Sequence, residues 1–226
     1  MNILLLSSTG LRHLRFASQL NRVYACDPVA IIAQVLPPPG WPAAYARRVW
    51  EAERQVFPIG PGSGEQMFLG VQIVEDINRA IFHTNYDLIV VFGSALITGR
   101  LLEACLALPT VNLHAGMSPF YRGSSCNFWA AYDGHPEYVG MTIHRLSAGV
   151  DAGDILEVVP APDHPDPFMR GMLAVRAGQD RLIEKIRDGS IWEAGTPQDL
   201  TQTIRYSKRV DFTDAVAMEF LNRCPQ

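Results

Sequence analysis

Short apolar runs alternate along this chain with stretches where apolar residues return every three or four positions. Residues 2–7 (NILLLS) are one such run, closed by small polar residues and Gly10, as expected of a strand buried on both faces that opens into a loop. Leu11, Leu14, Phe16 and Leu20 follow at roughly helical spacing and predict a helix over 11–22. A second apolar run, PVAIIAQV (28–35), completes a strand–helix–strand unit, the opening of a doubly wound sheet. YDLIVVFGS (86–94) reads as the clearest strand, LITGRLLEACLA (96–107) as a helix and PTVNLHA (109–115) as another short strand. GSSCNFWAAYDG (123–134) reads as a helix closed by Gly134, and residues 139–146 and 154–160 alternate as strands do. A helix is predicted over 168–188, and two short helical stretches in the tail from about 197.

The rhythm breaks between 36 and 65. The four prolines of LPPPGWP (36–42) remove donors and forbid regular structure there, and PIGPGSGE (58–65) reads as a second loop. A helix is expected over 43–56 between them and another over 66–84. The fold class is α/β: a Rossmann-like, doubly wound, mostly parallel sheet with a short helical C-terminal tail.

Composition narrows the setting. With 226 residues, 48% hydrophobic and 19% charged, the chain has enough apolar material for one full α/β core. A net charge of −4 disfavours nucleic acid as the main partner. Arg205, Lys208 and Arg209 make a local basic cluster, read as a solvated surface. Cys26, Cys105, Cys126 and Cys224 are widely spaced with no C-x-x-C pair, which fits a reducing cytoplasm rather than a disulfide framework. The apolar N-terminus is short and lacks a basic flank, so it reads as a strand and not as a signal peptide, and no membrane span is expected. The six histidines show no H-E-x-x-H spacing, so no metal is expected.

Candidate chemistry sits in VNLHAG. Asn112 and His114 are two apart on a predicted strand, so their side chains leave on one face at its carboxyl end, where open α/β sheets build their sites. An amide donor beside an imidazole suits a developing oxyanion, with the imidazole able to take a proton from an attacking amine. Asp151 lies in SAGVDAGDIL, a loop of small residues. If the fold brings it to His114, its carboxylate favours imidazolium and raises the His114 pKa.

NLHAGMSPFYRG followed by GMTIHRLSAGVDAGDIL resembles the family of formyltransferases that act with 10-formyltetrahydrofolate. The likeness spans roughly residues 1–160. It implies a catalytic domain over 1–165, with 166–226 as a helical extension packed on the same domain. By this resemblance Asn112, His114 and Asp151 are the catalytic residues: Asn112 for the oxyanion, His114 for the proton, Asp151 to hold His114. N10-formyltetrahydrofolate is the implied donor, its pterin against Ser94, Leu96 and Ile97 on one side and Ser147, Gly149 and Val150 on the other. Met117, Pro119 and Ser124 complete the implied folate contacts, while Tyr121, Arg122 and Gly123 shape the loop between strand and helix. Two departures stand out. Many members read His-x-Ser-Leu-Leu-Pro where this chain has His114-Ala-Gly-Met-Ser-Pro119, and Ser124 stands where some sugar-modifying members carry an arginine.

The acceptor is expected near Ser8, Thr9, Gly10, Arg12 and His13, because the first strand-to-helix turn of such a fold favours anions. The resemblance is closest to the sugar N-formyltransferases, so a nucleotide-linked amino sugar is the first expectation. An amino acid or hydroxylated amine comes second, and a formyltetrahydrofolate hydrolase is the nearest rival. Trp129 is read either as an acceptor-side wall or as core. Val216, Phe220 and Leu221 in 213–222 are expected on the core, with a homodimer as the other option.

Overall fold

The computed structural model describes residues 1–24, 29–36, 40–58, 71–83 and 85–224. Strand β1 (Ile3–Ser8) is buried along its whole length in the middle of a seven-stranded sheet. Alternation sends Ile3 and Leu5 to one face, where Phe16 and Leu20 of helix α1 (Leu11–Val23) meet them, and Leu4 and Leu6 to the other. Each fully buried aliphatic side chain there contributes about 1.5–3 kcal/mol. This two-sided burial is why the segment reads as an unbroken apolar run.

From β1 the chain moves outward through β2 (Val29–Gln34) and β3 (Val71–Val74), with helix α2 (Ala43–Val56) between them. It then returns to the other side of β1 as β4 (Leu88–Val91), crosses by helix α3 (Gly99–Leu106), and enters β5 (Thr110–His114). These five strands are parallel. The direction of winding reverses between β1 and β4, so their carboxyl ends flank the crevice where such sheets bind ligands. After a short strand β6 (Tyr121–Gly123) and helix α4 (Cys126–Tyr132), β7 (Gly140–Arg145) pairs antiparallel with β5, and β8 (Ile155–Pro160) antiparallel with β7.

Helix α5 (Pro167–Asp188) covers the α1 side of the sheet. Its bounds follow local chemistry: the Asp166 carboxylate accepts from the Phe168 N–H, Pro167 occupies the first turn, and Gly189 closes it at φ 84°. Helix α6 (Asp214–Arg223) packs Ala217 and Phe220 against Tyr45 of α2 and Phe168 of α5.

Several expected elements differ. Where described, the helix over 66–84 is absent: Val71–Val74 is an edge strand on β2, and Ile77–Arg79 a single 3-10 turn. The β-branched Val71, Ile73 and Val74 pair with an exposed sheet edge, and that pairing outweighs the apolar spacing. Residues 66–70 and 84 of that stretch, residues 59–65, prolines 37–39 and Cys26 lie outside the described residues. The helix expected from 123 starts at Cys126, and its first residues belong to β6 and its connection. The tail holds a strand, β9 (Arg205–Ser207), parallel to β6, between two 3-10 turns. Arg205 of the basic cluster is paired bidentately with Asp133. Trp129 is core, 3% exposed beneath the Arg205 guanidinium.

Candidate active site

Val111 and Leu113 of β5 enter the core, so alternation turns Asn112 and His114 to the opposite face. Antiparallel pairing sets His144 of β7 directly across from Asn112, and Thr142 across from His114. The loop after β7 folds back, and Asp151 takes a left-handed turn at φ 47° that brings its carboxylate to the group. Its Oδ1 accepts from Asn112 Nδ2 at 3.2 Å and lies 3.3 Å from His114 Nδ1 and 3.6 Å from His144 Nε2. Its Oδ2 accepts from the Gly123 N–H at 2.9 Å. The three residues singled out in the sequence therefore meet, with His144 as a fourth.

Hydrogen bonding constrains the protons. His144 Nδ1 faces the Arg145 carbonyl at 2.8 Å and donates to it, while Nε2 faces Asn112 Nδ2 at 3.1 Å and Asp151 Oδ1 at 3.6 Å. His114 differs: Nε2 faces the Tyr121 carbonyl at 3.1 Å while Nδ1 faces Asp151, so both ring nitrogens point at acceptors. Imidazolium would satisfy both. Burial nevertheless holds the His114 pKa below its ordinary value, outweighing the upward pull of Asp151, while His144 and Arg122 lower it further. This corrects the expectation of a raised pKa: the ring is buried, and desolvation exceeds the carboxylate's attraction. Asp151 itself has its charged form penalised by burial, but His114, His144 and the Gly123 N–H more than offset this and bring its pKa down to about 2.

The aspartate loop is held from two sides. Arg122 donates from Nε and Nη2 to the Val150 carbonyl at 3.2 and 2.7 Å. From the tail, Gln198 Nε2 donates to the carbonyls of Asp151 at 3.0 Å and Gly153 at 2.6 Å. Thr142 Oγ1 accepts from the Ser118 N–H and donates to the Gly116 carbonyl, fixing the loop after His114. Sequence reasoning missed His144, Thr142 and Gln198. For the first two a signal existed in the alternation of MTIHR, which sets Thr142 and His144 on one face; Gln198 had none.

On the expected folate side, Ile97 is buried with Leu101 of α3, and Ala95 and Leu146 pack on the same cluster. The 94–97 segment and Leu146, just before the 147–151 loop, thus share one apolar cluster. Leu96 is exposed, its carbonyl accepts from Asn78, and Ser147 hydrogen-bonds to the Gly149 carbonyl. A separate cavity of about 320 Å³ lies at the amino end of β5, lined by Leu108, Pro109, Thr110, Arg145 and Trp192. Met117 is half-buried against Gly140, and Pro119 is buried. Ser124 is pinned through its backbone to Ser207 of β9.

The β1–α1 turn stands two strands away on the same sheet edge, with Ser8 buried and Thr9 and Gly10 half-buried. Its cations are less available than the sequence suggested. Arg12 pairs with Glu53 at 2.7 Å, and the same carboxylate accepts from the Arg12 N–H at the start of α1. His13 is buried against Phe92, its Nδ1 lacks a partner, and burial with the Arg12 charge holds it neutral. Thr9, Gly10 and Leu11 still line a cleft of about 290 Å³ with Trp50, Glu53 and Arg54 of α2.

Among the described residues no group of three or more His, Cys, Asp or Glu side chains could hold a metal ion, and no helix is long and apolar enough to cross a membrane. Cys105 and Cys126 are buried free thiols, and Cys224 is a half-buried one.

Residues 65–163, which carry all of these catalytic-side elements but Gln198, match the family model described as formyl transferase. The methionyl-tRNA formyltransferase of Agathobacter rectalis is 29% identical over 171 residues, covering 71% of this chain and 55% of that protein. The chain thus spans about half the length of this curated relative. A sugar N-formyltransferase from a Shewanella species superposes with a TM-score of 0.64 at 16% identity, covering 97% of this chain and 87% of that one. A formyltransferase from Anoxybacillus kamchatkensis, in complex with UDP-4,6-dideoxy-4-formamido-L-AltNAc and tetrahydrofolate, superposes with a TM-score of 0.57 at 19% identity, covering 93% and 87%. At these identities the superpositions speak for the fold.

Proposed function

We propose, from the match of residues 65–163 to the formyl transferase family model, that the chain moves a formyl group from N10-formyltetrahydrofolate to the primary amine of a small acceptor. The observation that carries this reading is the convergence of Asn112, His114 and His144 on one buried carboxylate oxygen of Asp151. The amine lone pair attacks the formyl carbon and the carbonyl electrons move to oxygen. One Asn112 amide N–H passes from its present partner to that oxyanion. His114 takes the proton from the new ammonium. Collapse re-forms the carbonyl, breaks the bond to N10 and releases the formamide, with the proton ending on N10 of tetrahydrofolate.

The protonation of His114 favours this sequence. Burial keeps the free imidazole neutral and able to accept a proton, while both ring nitrogens face acceptors that only the imidazolium satisfies. Once protonated, the ring donates to the Asp151 carboxylate and the Tyr121 carbonyl, which offsets part of the cost of holding its charge in a buried site. A pH prediction follows. His114 must be neutral to act, so kcat falls as pH drops through its pKa, and that acid limb lies below the ordinary imidazole value of about 6.5. A kcat–pH profile with saturating donor and amine measures it. A limb at or above that value removes His114 as the buried base.

For the acceptor, a nucleotide-linked amino sugar is the reading we favour. It is supported by the extent of the likeness to the Shewanella sugar N-formyltransferase, 97% of this chain with its tail included, and by the net charge of −4, which suits nucleic acid poorly. A panel of UDP- and dTDP-linked amino sugars, amino acids and hydroxylated amines, read by mass spectrometry for a formamide product, tests this. Formylation of the nucleotide sugars alone is expected. Formylation confined to amino acids or simple amines would reassign the acceptor.

A further inference from the structure

The tail lies outside the stretch that matches the family model, yet it touches the chemistry. Thr196 pairs with Ile155 just after the aspartate loop, and two residues later Gln198 Nε2 donates to the carbonyls of both Asp151 and Gly153. Farther on, β9 pairs with β6, the strand that supplies Arg122 to the Val150 carbonyl and the Gly123 N–H to the Asp151 carboxylate. The ring of Tyr206 in β9 also lies 5.5 Å from the Arg122 guanidinium. Residues 196–207 thus grip the aspartate loop directly through Gln198 and indirectly through β6.

We propose that Gln198 is a positioning residue for catalysis: its amide clamps the backbone on both sides of Ala152, so that Asp151 keeps the left-handed turn that aims its carboxylate at His114 and Asn112. This rests on the formyl-transfer reading above. The physical reason is the turn itself. A non-glycine residue at φ 47° sits in a sparsely populated backbone region and persists where its surroundings hold it there. Two hydrogen bonds from one amide to the carbonyls at positions 151 and 153 fix the peptide planes that would rotate if the turn relaxed. Relaxation would swing the carboxylate away, and a displacement near 1 Å can cost about 100-fold in rate.

The test uses Gln198→Ala and Gln198→Met, the second keeping bulk without donors, in the full chain. Both should fold, shown by near-UV circular dichroism. With a dTDP-linked amino sugar as probe amine, kcat should fall by about 10- to 100-fold with KM for the amine within about twofold of wild type. A readout independent of turnover comes from NMR titration of ring-labelled histidine, with the His114 signal assigned by its loss in His114→Gln. The ring is faced by Asp151, His144 and Arg122, and by the Tyr121 carbonyl. Withdrawal of the carboxylate should make it titrate at lower pH in both Gln198 variants, as in Asp151→Asn. A purely structural glutamine would lower Tm and leave that titration in place. Variants with kcat within about twofold of wild type, or with an unmoved His114 titration, overturn the clamp. Wild-type protein inert toward every amine defeats the formyl-transfer reading, and the NMR arm then decides the clamp alone.

Discussion

Replacing His114 with alanine is expected to lower kcat by about 100- to 10,000-fold, the range set by loss of a positioned general base, with the fold intact. The side chain is buried but stands on the face of β5 opposite the main core, where it meets Asp151 and the Tyr121 carbonyl rather than apolar packing. Its removal takes the proton acceptor and leaves Asp151 held by Asn112 and the Gly123 N–H. Steady-state kinetics alongside thermal unfolding measures both halves. A variant within about tenfold of wild-type kcat would transfer the proton-handling role to another group, with His144 the nearest alternative, 3.6 Å from the same carboxylate.

Gly153→Ala is the second large effect, and it acts through the backbone. A Cβ at this position would overlap the Arg145 carbonyl oxygen and crowd its carbon. Both belong to the end of β7, which is locked between β5 and β8, and the Arg145 N–H donates to the Asp154 carbonyl at 2.9 Å. The strand cannot yield, so the loop must. Moving it breaks the Gln198 bond to Gly153 and carries the Asp151 carboxylate away from Asn112 and His114. A loss of about 1–3 kcal/mol in stability and about 100-fold or more in kcat is expected. Denaturant unfolding and kinetics on the same preparation check this. Wild-type behaviour in both would mean that the loop has room the geometry does not show.

The sequence made the sheet legible because parallel strands buried on both faces appear as unbroken apolar runs, and Leu4, Leu5, Ile89 and Val90 all sit in such runs. The Asn112–His114 spacing was legible for a related reason, since period-two geometry sets their common face without knowledge of the fold. Contacts across long separations were not legible. Nothing local in GTPQDL marks Gln198 as a partner of a loop 45 to 47 residues earlier. The helix expected over 66–84 failed on the same ground, because β3 exists only through pairing with β2. The pKa of His114 was misjudged in direction because spacing reveals a carboxylate partner but not the burial that outweighs it. Arg12 and His13 looked like free anion-binding groups until Glu53 and Phe92 proved to be their neighbours.

The central claim is tested most directly by incubating the full chain with N10-formyltetrahydrofolate and the amine panel, and following tetrahydrofolate and formamide together. The account predicts that the two appear in equal amounts, only when a suitable amine is present, and that His114→Ala abolishes both. Tetrahydrofolate released at the same rate without amine, or no turnover of the donor with any amine, would contradict it.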